Sequence, residues 1–280
     1  MPSLATMPLD QLPILSLDLE TTGLNTRQDR VLQIGLIAAS GDAGDGTEFL
    51  VNPGTAIPPQ STAIHGITAE DVAEAPPFPL VFSACRDRLS NRVLIGYNIG
   101  FDLAILSAET DRHGMEWRWG QALCLRQLAT IALGRDAMLM MGDLDSLAAH
   151  YSIDTGRRHS ALGDAVISLA LYQSLLADLR EKSIITLGDA KRAVAQLDGE
   201  RMATARAGWV DVASPKDEAL GNMPLARIDP FPYRHRISEI MMTEPLIRPR
   251  NTTLLEAAKT LSAHRADCLF VGTGPEAIEG

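Results

Sequence analysis

The sequence predicts an α/β fold in which a mixed sheet is flanked by helices. Three largely apolar segments come first, at 14–20, 30–39 and 47–51, and their short connections predict antiparallel strands. The second of them is a run of β-branched and aliphatic residues. A further short apolar segment at 93–97 lies between stretches with helical periodicity. Strands first, and then strand alternating with helix, is typical of a sheet covered by helices.

The predicted helices follow in chain order. Thr68 is placed to cap a short helix at 69–72, and a Pro-Pro pair opens the next helix, which ends near residue 89. Asn98 is placed to cap a helix that carries Asp102 in its first turn. Further helices are predicted at 123–133, 144–151 and 160–181.

Composition divides the chain into three parts. Residues 12–182 carry the strand and helix pattern of one domain. Residues 183–233 are predicted to be a linker, rich in Gly, Pro, Ala and Asp, with one helix expected at 187–197. Another α/β unit is expected over 234–280.

Charge and cysteine usage exclude several classes of protein. A formal net charge of -10 over 280 residues argues against a protein that coats duplexes with Lys and Arg. Cys85, Cys124 and Cys268 lack C-x-x-C spacing, so neither a zinc site nor a disulfide framework is expected. We expect no membrane span, no signal peptide and a cytoplasmic location. Abundant alanine and no lysine before Lys182 favour a bacterial source.

Acids at the ends of two strands are candidate metal ligands. Asp18 and Glu20 project from one face of the first strand, roughly 6.6 Å apart at ~3.3 Å per residue. Carboxylates suit Mg²⁺ or Mn²⁺, although this pair could equally be the solvated face of an edge strand. Asp102 follows a buried strand, where α/β sheets bind ligands, or it is a first-turn acid favoured by the helix dipole.

His159 and Asp164 stand at the start of the last long helix. Five residues at ~100° each leave the two on different azimuths, so we place His159 in the preceding loop and Asp164 in the helix. His113, His150 and His264 are expected to be ordinary histidines.

Together these motifs resemble the DEDDh 3′→5′ exonucleases, above all the epsilon-like proofreading group of bacterial DNA polymerase III. The four acids and the histidine have the order and spacing of that family. Ser160 stands where the sister DEDDy group has tyrosine, which supports the histidine version. The segments that carry the resemblance are Asp18-x-Glu20-Thr21-Thr22-Gly23, His65-Gly66-Ile67-Thr68, Asn98-x-x-Phe101-Asp102 and His159-x-x-x-x-Asp164.

The resemblance implies a ribonuclease-H-like fold and hydrolysis of terminal phosphodiester bonds with two divalent metal ions, Mg²⁺ or Mn²⁺. It implies that Asp18, Glu20 and Asp164 bind the first ion, and that Asp18 and Asp102 hold the second. An imidazole can take a proton from the attacking water, so His159 is the candidate general base.

The resemblance also implies contacts with the 3′ nucleotide of a single-stranded end for Thr21, Thr22, His65, Asn98 and Phe101. A flat ring such as that of Phe101 or His65 can stack on a base without reading its identity. Alternatively, His65 is a loop histidine bonded to backbone, and Phe101 belongs to the core.

Residues 234–280 resemble the first part of a CBS domain. The segments that carry this resemblance are 234–241, 245–249, 252–259 and 268–272. They predict a helical turn, a strand, a helix capped by Thr252 or Thr253, and a second strand. CBS modules bind adenine nucleotides in pairs, so either this chain is shorter than a longer relative, or the segment docks on its own domain or a second chain.

Three functions stay open. The favoured one is a metal-dependent 3′→5′ exonuclease on DNA. The first alternative is a 3′→5′ exoribonuclease or oligonucleotide-trimming enzyme, which would use the same acids and histidine. The second is a nucleotide-sensing regulatory protein or a polymerase-accessory protein.

Overall fold

The computed structural model of the chain describes residues 3–39, 46–206, 246–264, 270–274 and 277–278. They belong to two compact units, Met1–Ala213 and Ser214–Gly280, and each unit is described by itself. The domain boundaries expected from composition, at 182 and 233, stay predictions.

The first unit is built on a five-stranded mixed sheet. Its spatial order is β3-β2-β1-β4-β5, with β1 to β3 antiparallel and β4 and β5 parallel to β1. The predicted antiparallel start is confirmed, and β1 lies at the centre of the sheet. The strands are β1 (Ile14–Thr21), β2 (Val31–Ala38), β3 (Thr47–Leu50), β4 (Val93–Gly96) and β5 (Gln121–Cys124).

Helices connect and cover these strands. Thr68 caps α2 as predicted, because its Oγ1 accepts from the Asp71 N–H and its own N–H donates to Asp71 Oδ2. The helices of this unit are α1 (Pro59–His65), α2 (Ala69–Val72), α3 (Phe78–Leu89), α4 (Ile99–Arg112), α5 (Leu125–Leu133), α6 (Arg135–Met140), α7 (Leu144–His150), α8 (Ala161–Glu181) and α9 (Leu187–Arg206).

The alternation of side chains along β1 directs its two faces into different surroundings. Leu15, Leu17 and Leu19 pack with α3 and α4 in one apolar cluster. On the other face, α5, α7 and α8 pack over Ile14 in a second cluster. Asp18 and Glu20 therefore face the side of the sheet that α8 covers.

Helix α8 is the central helix of the second cluster. Among the helices that the structure describes, it has the length and apolar composition of a membrane span. Half of that apolar stretch is buried inside the protein, and α8 packs on β1 and β2. Its apolar character therefore has the ordinary explanation of a core helix.

The structure corrects one predicted element. The sequence predicts a helix over 123–133, but Gln121–Cys124 form the edge strand β5, and the helix begins at Leu125. The residues of β5 pair in parallel with Val93–Gly96. A short apolar run is compatible with either state, and here the pairing with β4 decides for the strand.

Helix α9 extends beyond the helix expected at 187–197. It runs from Leu187 to Arg206, and Leu187 and Ala190 are buried in the same apolar cluster as α8. At least the first turns of α9 therefore belong to the packed unit.

The second unit contains β6 (Ile247–Arg248), α10 (Leu254–His264), β7 (Phe270–Gly274) and β8 (Ala277–Ile278). Strands β6 and β7 are parallel, and β8 pairs antiparallel with β7. Thr253 caps α10 as expected, since its Oγ1 accepts from the Glu256 N–H at 3.3 Å. The predicted helical turn at 234–241 lies outside the described residues. The CBS-like assignment stays a prediction.

Candidate active site

Three acids meet at the carboxyl end of β1. Asp18 and Glu20 come from the strand and Asp164 from the first turn of α8, and one ligand oxygen of each lies within 4.8 Å of the others. Asp102 follows β4, which is parallel to β1, so it lies at the same edge of the sheet. The sequence-predicted acids are thus brought together in one place.

Burial and mutual repulsion shift the protonation of this cluster. Burial, and then the charges of Asp102, Asp164 and Glu20, raise the pKa of Asp18 well above its ordinary value. Burial, with the charges of Asp164 and Asp102, raises the pKa of Glu20 to about 8. Burial also raises the pKa of Asp102 to about 8. Crowded carboxylate oxygens that hold protons this tightly fit a site for hard divalent cations.

Three side chains accept the first N–H groups of α8, two of them from the sheet and one from Ser160, the residue before the helix. The Ala161 N–H donates to Gln33 Oε1 at 2.9 Å, the Leu162 N–H to Glu48 Oε1 at 3.3 Å, and the Gly163 N–H to Ser160 Oγ at 3.2 Å. The first N–H groups of a helix lack partners within the helix, so these acceptors determine where α8 begins.

Sequence reasoning missed the roles of Gln33 and Glu48. Both side chains come from strands far away in the chain from α8, at Val31–Ala38 and Thr47–Leu50. The one available signal was a polar residue, Gln33, within an otherwise apolar predicted strand; the structure shows that it is buried.

A glycine lets α8 approach the sheet beside Asp18. Gly35 pairs with Asp18 in the β1–β2 register. A Cβ atom at Gly35 would lie 2.1 Å from the carbonyl carbon of Ala161, much closer than atoms can pack. The missing side chain therefore sets the distance between β2 and the start of α8, and with it the position of Asp164.

His159 lies in the loop before α8, as the sequence predicts. Its backbone is left-handed, with φ 58°, a conformation that costs a residue with a Cβ roughly 1–2 kcal/mol. The His159 N–H donates to Asp164 Oδ1 at 3.3 Å, which helps to hold this conformation. The side chain is exposed, and it lines a cleft of about 870 Å³ together with His65, Glu48 and Arg157.

The hydroxyls of the two expected substrate-binding threonines hold the turn after β1. Thr21 Oγ1 donates to the Gly23 carbonyl at 2.7 Å, and Thr22 Oγ1 donates to Asp29 Oδ1 at 2.9 Å. Both side chains are buried. Both hydroxyls are therefore engaged within the protein, and contacts of Thr21 and Thr22 with a nucleotide stay a prediction.

The three other expected substrate contacts lie in different settings. His65 is bonded to backbone, since its Nδ1 accepts from the Ile67 N–H at 3.0 Å, and its ring also lines the cleft. Burial lowers the pKa of His65. Asn98 is exposed at the start of α4 but makes no capping hydrogen bond, which corrects the expected cap. Phe101 is half-buried against the apolar core.

An arginine that sequence reasoning missed lies against the acids. The Arg158 Nε donates to Asp145 Oδ1 at 2.6 Å, and Nη1 contacts Asp164 Oδ2. Burial disfavours the charged guanidinium, but hydrogen bonds to Asp145 and Asp164 raise the pKa of Arg158 above its ordinary value.

With this geometry in place, comparison with known proteins shows the family. The sequence profile described as "Exonuclease" matches residues 15–172, a stretch that contains all four acids and His159. The chain belongs to the exonuclease family. The prediction of an enzyme, a hydrolase of the exonuclease class, is confirmed.

The chain is also similar to polymerase subunits. A DNA polymerase III subunit epsilon-like protein of Rhodobacter capsulatus is 34% identical over 197 residues, which cover 66% of this chain and 27% of that protein. The DNA polymerase III subunit epsilon of Rickettsia conorii is 30% identical over 172 residues, 57% of this chain and 72% of that one. The match spans less than a third of the first curated relatives.

Solved structures share the fold of the first unit. Zinc-bound exonuclease I of E. coli with single-stranded DNA is 22% identical, with a TM-score of 0.52, and the match covers 74% of this chain and 47% of that one. The nuclease domain of 3′hExo, a DEDDh family member bound to rAMP, is 15% identical, with a TM-score of 0.50. That match covers 61% of this chain and 94% of that one. The predicted ribonuclease-H-like mixed sheet is confirmed.

Proposed function

We propose that the chain is a metal-dependent 3′→5′ exonuclease that removes nucleotides from single-stranded ends of DNA. One observation carries the proposal: ligand oxygens of Asp18, Glu20 and Asp164 converge within 4.8 Å at the carboxyl end of the central strand, with Asp102 at the same edge. Membership of the exonuclease family supports the class of reaction, and the convergence of the acids supports their assignment as the reactive centre.

The four acids would hold two divalent ions, Mg²⁺ or Mn²⁺. Asp18, Glu20 and Asp164 would bind one, and Asp18 and Asp102 the other. Bound divalent ions supply Lewis-acid stabilisation of the charge that develops on the attacking and leaving oxygens. The acids come from strand β1, from the first turn of α4 and from the first turn of α8, whose start is bonded to Gln33.

His159 would accept the proton of the attacking water. Its exposed ring borders the cleft, and its backbone is bonded to Asp164, so the base lies next to the acid cluster. A neutral imidazole nitrogen can accept a proton and an exposed ring can pass it on to solvent, which suits a general base.

The 3′ nucleotide would lie in the cleft beside this base. The ring of His65, which lines the cleft, offers a flat surface for stacking, which tolerates any base. The family resemblance gives the half-buried ring of Phe101 as a second such surface. The turn at Thr21 and Thr22 and the exposed amide of Asn98 would contact the sugar and the phosphate. Association with a polymerase or with a second copy through 234–280 stays a prediction.

Digestion of 5′-labelled single-stranded oligonucleotides tests the proposal. DNA and RNA of one sequence are incubated with Mg²⁺ or Mn²⁺, beside Asp18→Ala. We expect a ladder that shortens from the 3′ end of DNA, is absent in Asp18→Ala and is abolished by EDTA. Asp111→Ala, which removes an exposed acid of α4, serves as the matched control and should digest as the wild type does.

Each other outcome contradicts part of the proposal. Shortening from the 5′ end overturns the direction, and digestion by Asp18→Ala overturns the site. A ladder with RNA alone replaces the substrate and favours the exoribonuclease alternative, in which the 2′-OH is recognised.

A further inference from the structure

Arg158 is shared between one of the proposed metal ligands and a neighbouring helix. Its Nε and Nη2 donate to the two carboxylate oxygens of Asp145, in the first turn of α7, at 2.6 and 3.4 Å. Its Nη1 contacts Asp164 Oδ2. The Arg158 side chain is 20% exposed and that of Asp164 12%, so little water separates or screens the charges.

The charge of Arg158 acts on the two acids of β1 as well as on Asp164, which it contacts. It lowers the pKa of both Asp18 and Glu20, against the larger effects of burial and repulsion. An arginine stays protonated in proteins, so it cannot lose its charge when a metal ion arrives. The fixed positive charge of Arg158, in contact with Asp164, therefore opposes the binding of another cation by the Asp164 carboxylate.

We propose that Arg158 is a positioning residue that holds Asp164 in place and competes with a metal ion for it, thereby setting the metal affinity of the acid cluster. Asp145 moderates the competition, because its carboxylate holds two nitrogens of the guanidinium on α7. The inference rests on the proposed function in so far as Asp164 is a metal ligand. Arg158 directly precedes His159, so metal binding and the placement of the proposed base are linked through one loop.

Mn²⁺ binding to the full chain, measured by titration calorimetry, tests the competition. Arg158→Gln removes the competing charge and should bind Mn²⁺ roughly tenfold more tightly, and Arg158→Lys keeps the charge and should stay within about threefold of the wild type. Asp145→Asn frees the guanidinium to pair with Asp164 alone, and should weaken Mn²⁺ binding roughly threefold.

The opposite signs distinguish competition from a merely structural role. Arg158→Gln and Asp145→Asn both remove the ion pair between the loop and α7, so a structural role would shift the Mn²⁺ affinity of both in one direction. Asp154→Asn is the matched control, since it removes one negative charge from an exposed residue of the same loop. It should leave Mn²⁺ affinity unchanged, and urea unfolding shows that each variant is folded.

Two results would overturn the proposal. One leaves the exonuclease proposal intact, and the other contradicts it as well. If the wild type binds Mn²⁺ through Asp18 but Arg158→Gln binds no more tightly, the competition is wrong and the exonuclease proposal stands. If the wild type binds no Mn²⁺ that Asp18→Ala abolishes, both proposals fall together.

Discussion

Asp18, Glu20 and Asp102 are carboxyl groups held in a volume where burial disfavours their charged forms, and repulsion adds to this for Asp18 and Glu20. Asp164 lies beside Asp18 and Glu20. A fold selected for stability alone would not gather them, because each is better solvated in water. His159 adds a left-handed backbone next to the same cluster. Unfavourable charge and backbone strain in one place are typical of functional sites.

The role of His159 can be tested by truncation. His159→Ala should lower turnover roughly 10²–10⁴-fold, the usual contribution of a general base, while Mn²⁺ affinity stays unchanged because the imidazole is not a proposed ligand. Single-turnover digestion and calorimetry measure the two quantities. His150→Ala, an exposed histidine of α7, is the control. Full activity in His159→Ala would remove it from the mechanism.

At the scale of single elements, the position of α8 relative to β2 and β3 decides the geometry of the site. Gln33 and Glu48 accept the first N–H groups of the helix, and Gly35 allows its backbone to approach the sheet. Asp164 lies within the first turn of that helix. A small displacement of the start of α8 therefore moves a proposed metal ligand.

Gly35→Ala tests this close approach. A methyl group there meets the backbone of Ala161, so we expect the free energy of unfolding to fall by about 1–3 kcal/mol, as overpacking does. Metal affinity should fall with it, because α8 moves away from Asp18. Gly199→Ala in α9 has open space around the new methyl group and should raise the helix stability by up to about 1 kcal/mol. Urea unfolding of both variants provides the comparison, and an unchanged Gly35→Ala would refute the packing argument.

Gln33→Leu tests the bonded helix start. It leaves the buried Ala161 N–H without its acceptor, which should cost about 1–3 kcal/mol of unfolding free energy. Glu48→Gln keeps an oxygen acceptor for the Leu162 N–H and should change the free energy of unfolding little. Equal stability of Gln33→Leu and the wild type would show that water replaces the lost acceptor.

At the scale of the whole molecule, the acid cluster couples folding to pH. The pKa of Glu20 rises from 4.5 to about 8 on folding, and that of Asp102 from 3.8 to about 8. In the folded state these groups bind protons more tightly than in the unfolded state. Their contribution to stability is therefore fully present below the unfolded values and is lost as the pH rises through the folded ones.

We therefore expect the metal-free protein to become less stable between about pH 4.5 and about pH 8. Thermal unfolding in EDTA across this range measures the effect, and added Mg²⁺ should restore stability most at the upper end. The double variant Glu20→Gln, Asp102→Asn should show a flatter dependence, since two of the titrating carboxyls are gone. A slope in the double variant equal to that of the wild type would contradict the assignment.

Much of the fold and the site could be predicted because the relevant signals are local. The alternation of Leu15, Leu17 and Leu19 with Asp18 and Glu20 predicts both a strand and the face that carries the acids, since side chains alternate along a strand. The motif spacing located Asp102, His159 and Asp164 within their elements. The face of a strand or helix on which a side chain lies follows from its position relative to its neighbours in the sequence, so it can be predicted without the tertiary structure.

Only the tertiary structure decided the features that depend on contacts between distant segments. Strand β5 exists because it pairs with β4, and local sequence could not separate it from the helix that follows. The bond from Ala161 to Gln33, the fit of α8 over Gly35 and the contact of Arg158 with Asp145 and Asp164 likewise join residues that no local pattern relates. The sequence by itself determined which carboxylates and which histidine are candidates for the site. Folding decided how closely the carboxylates meet, and that the guanidinium of Arg158 lies against them.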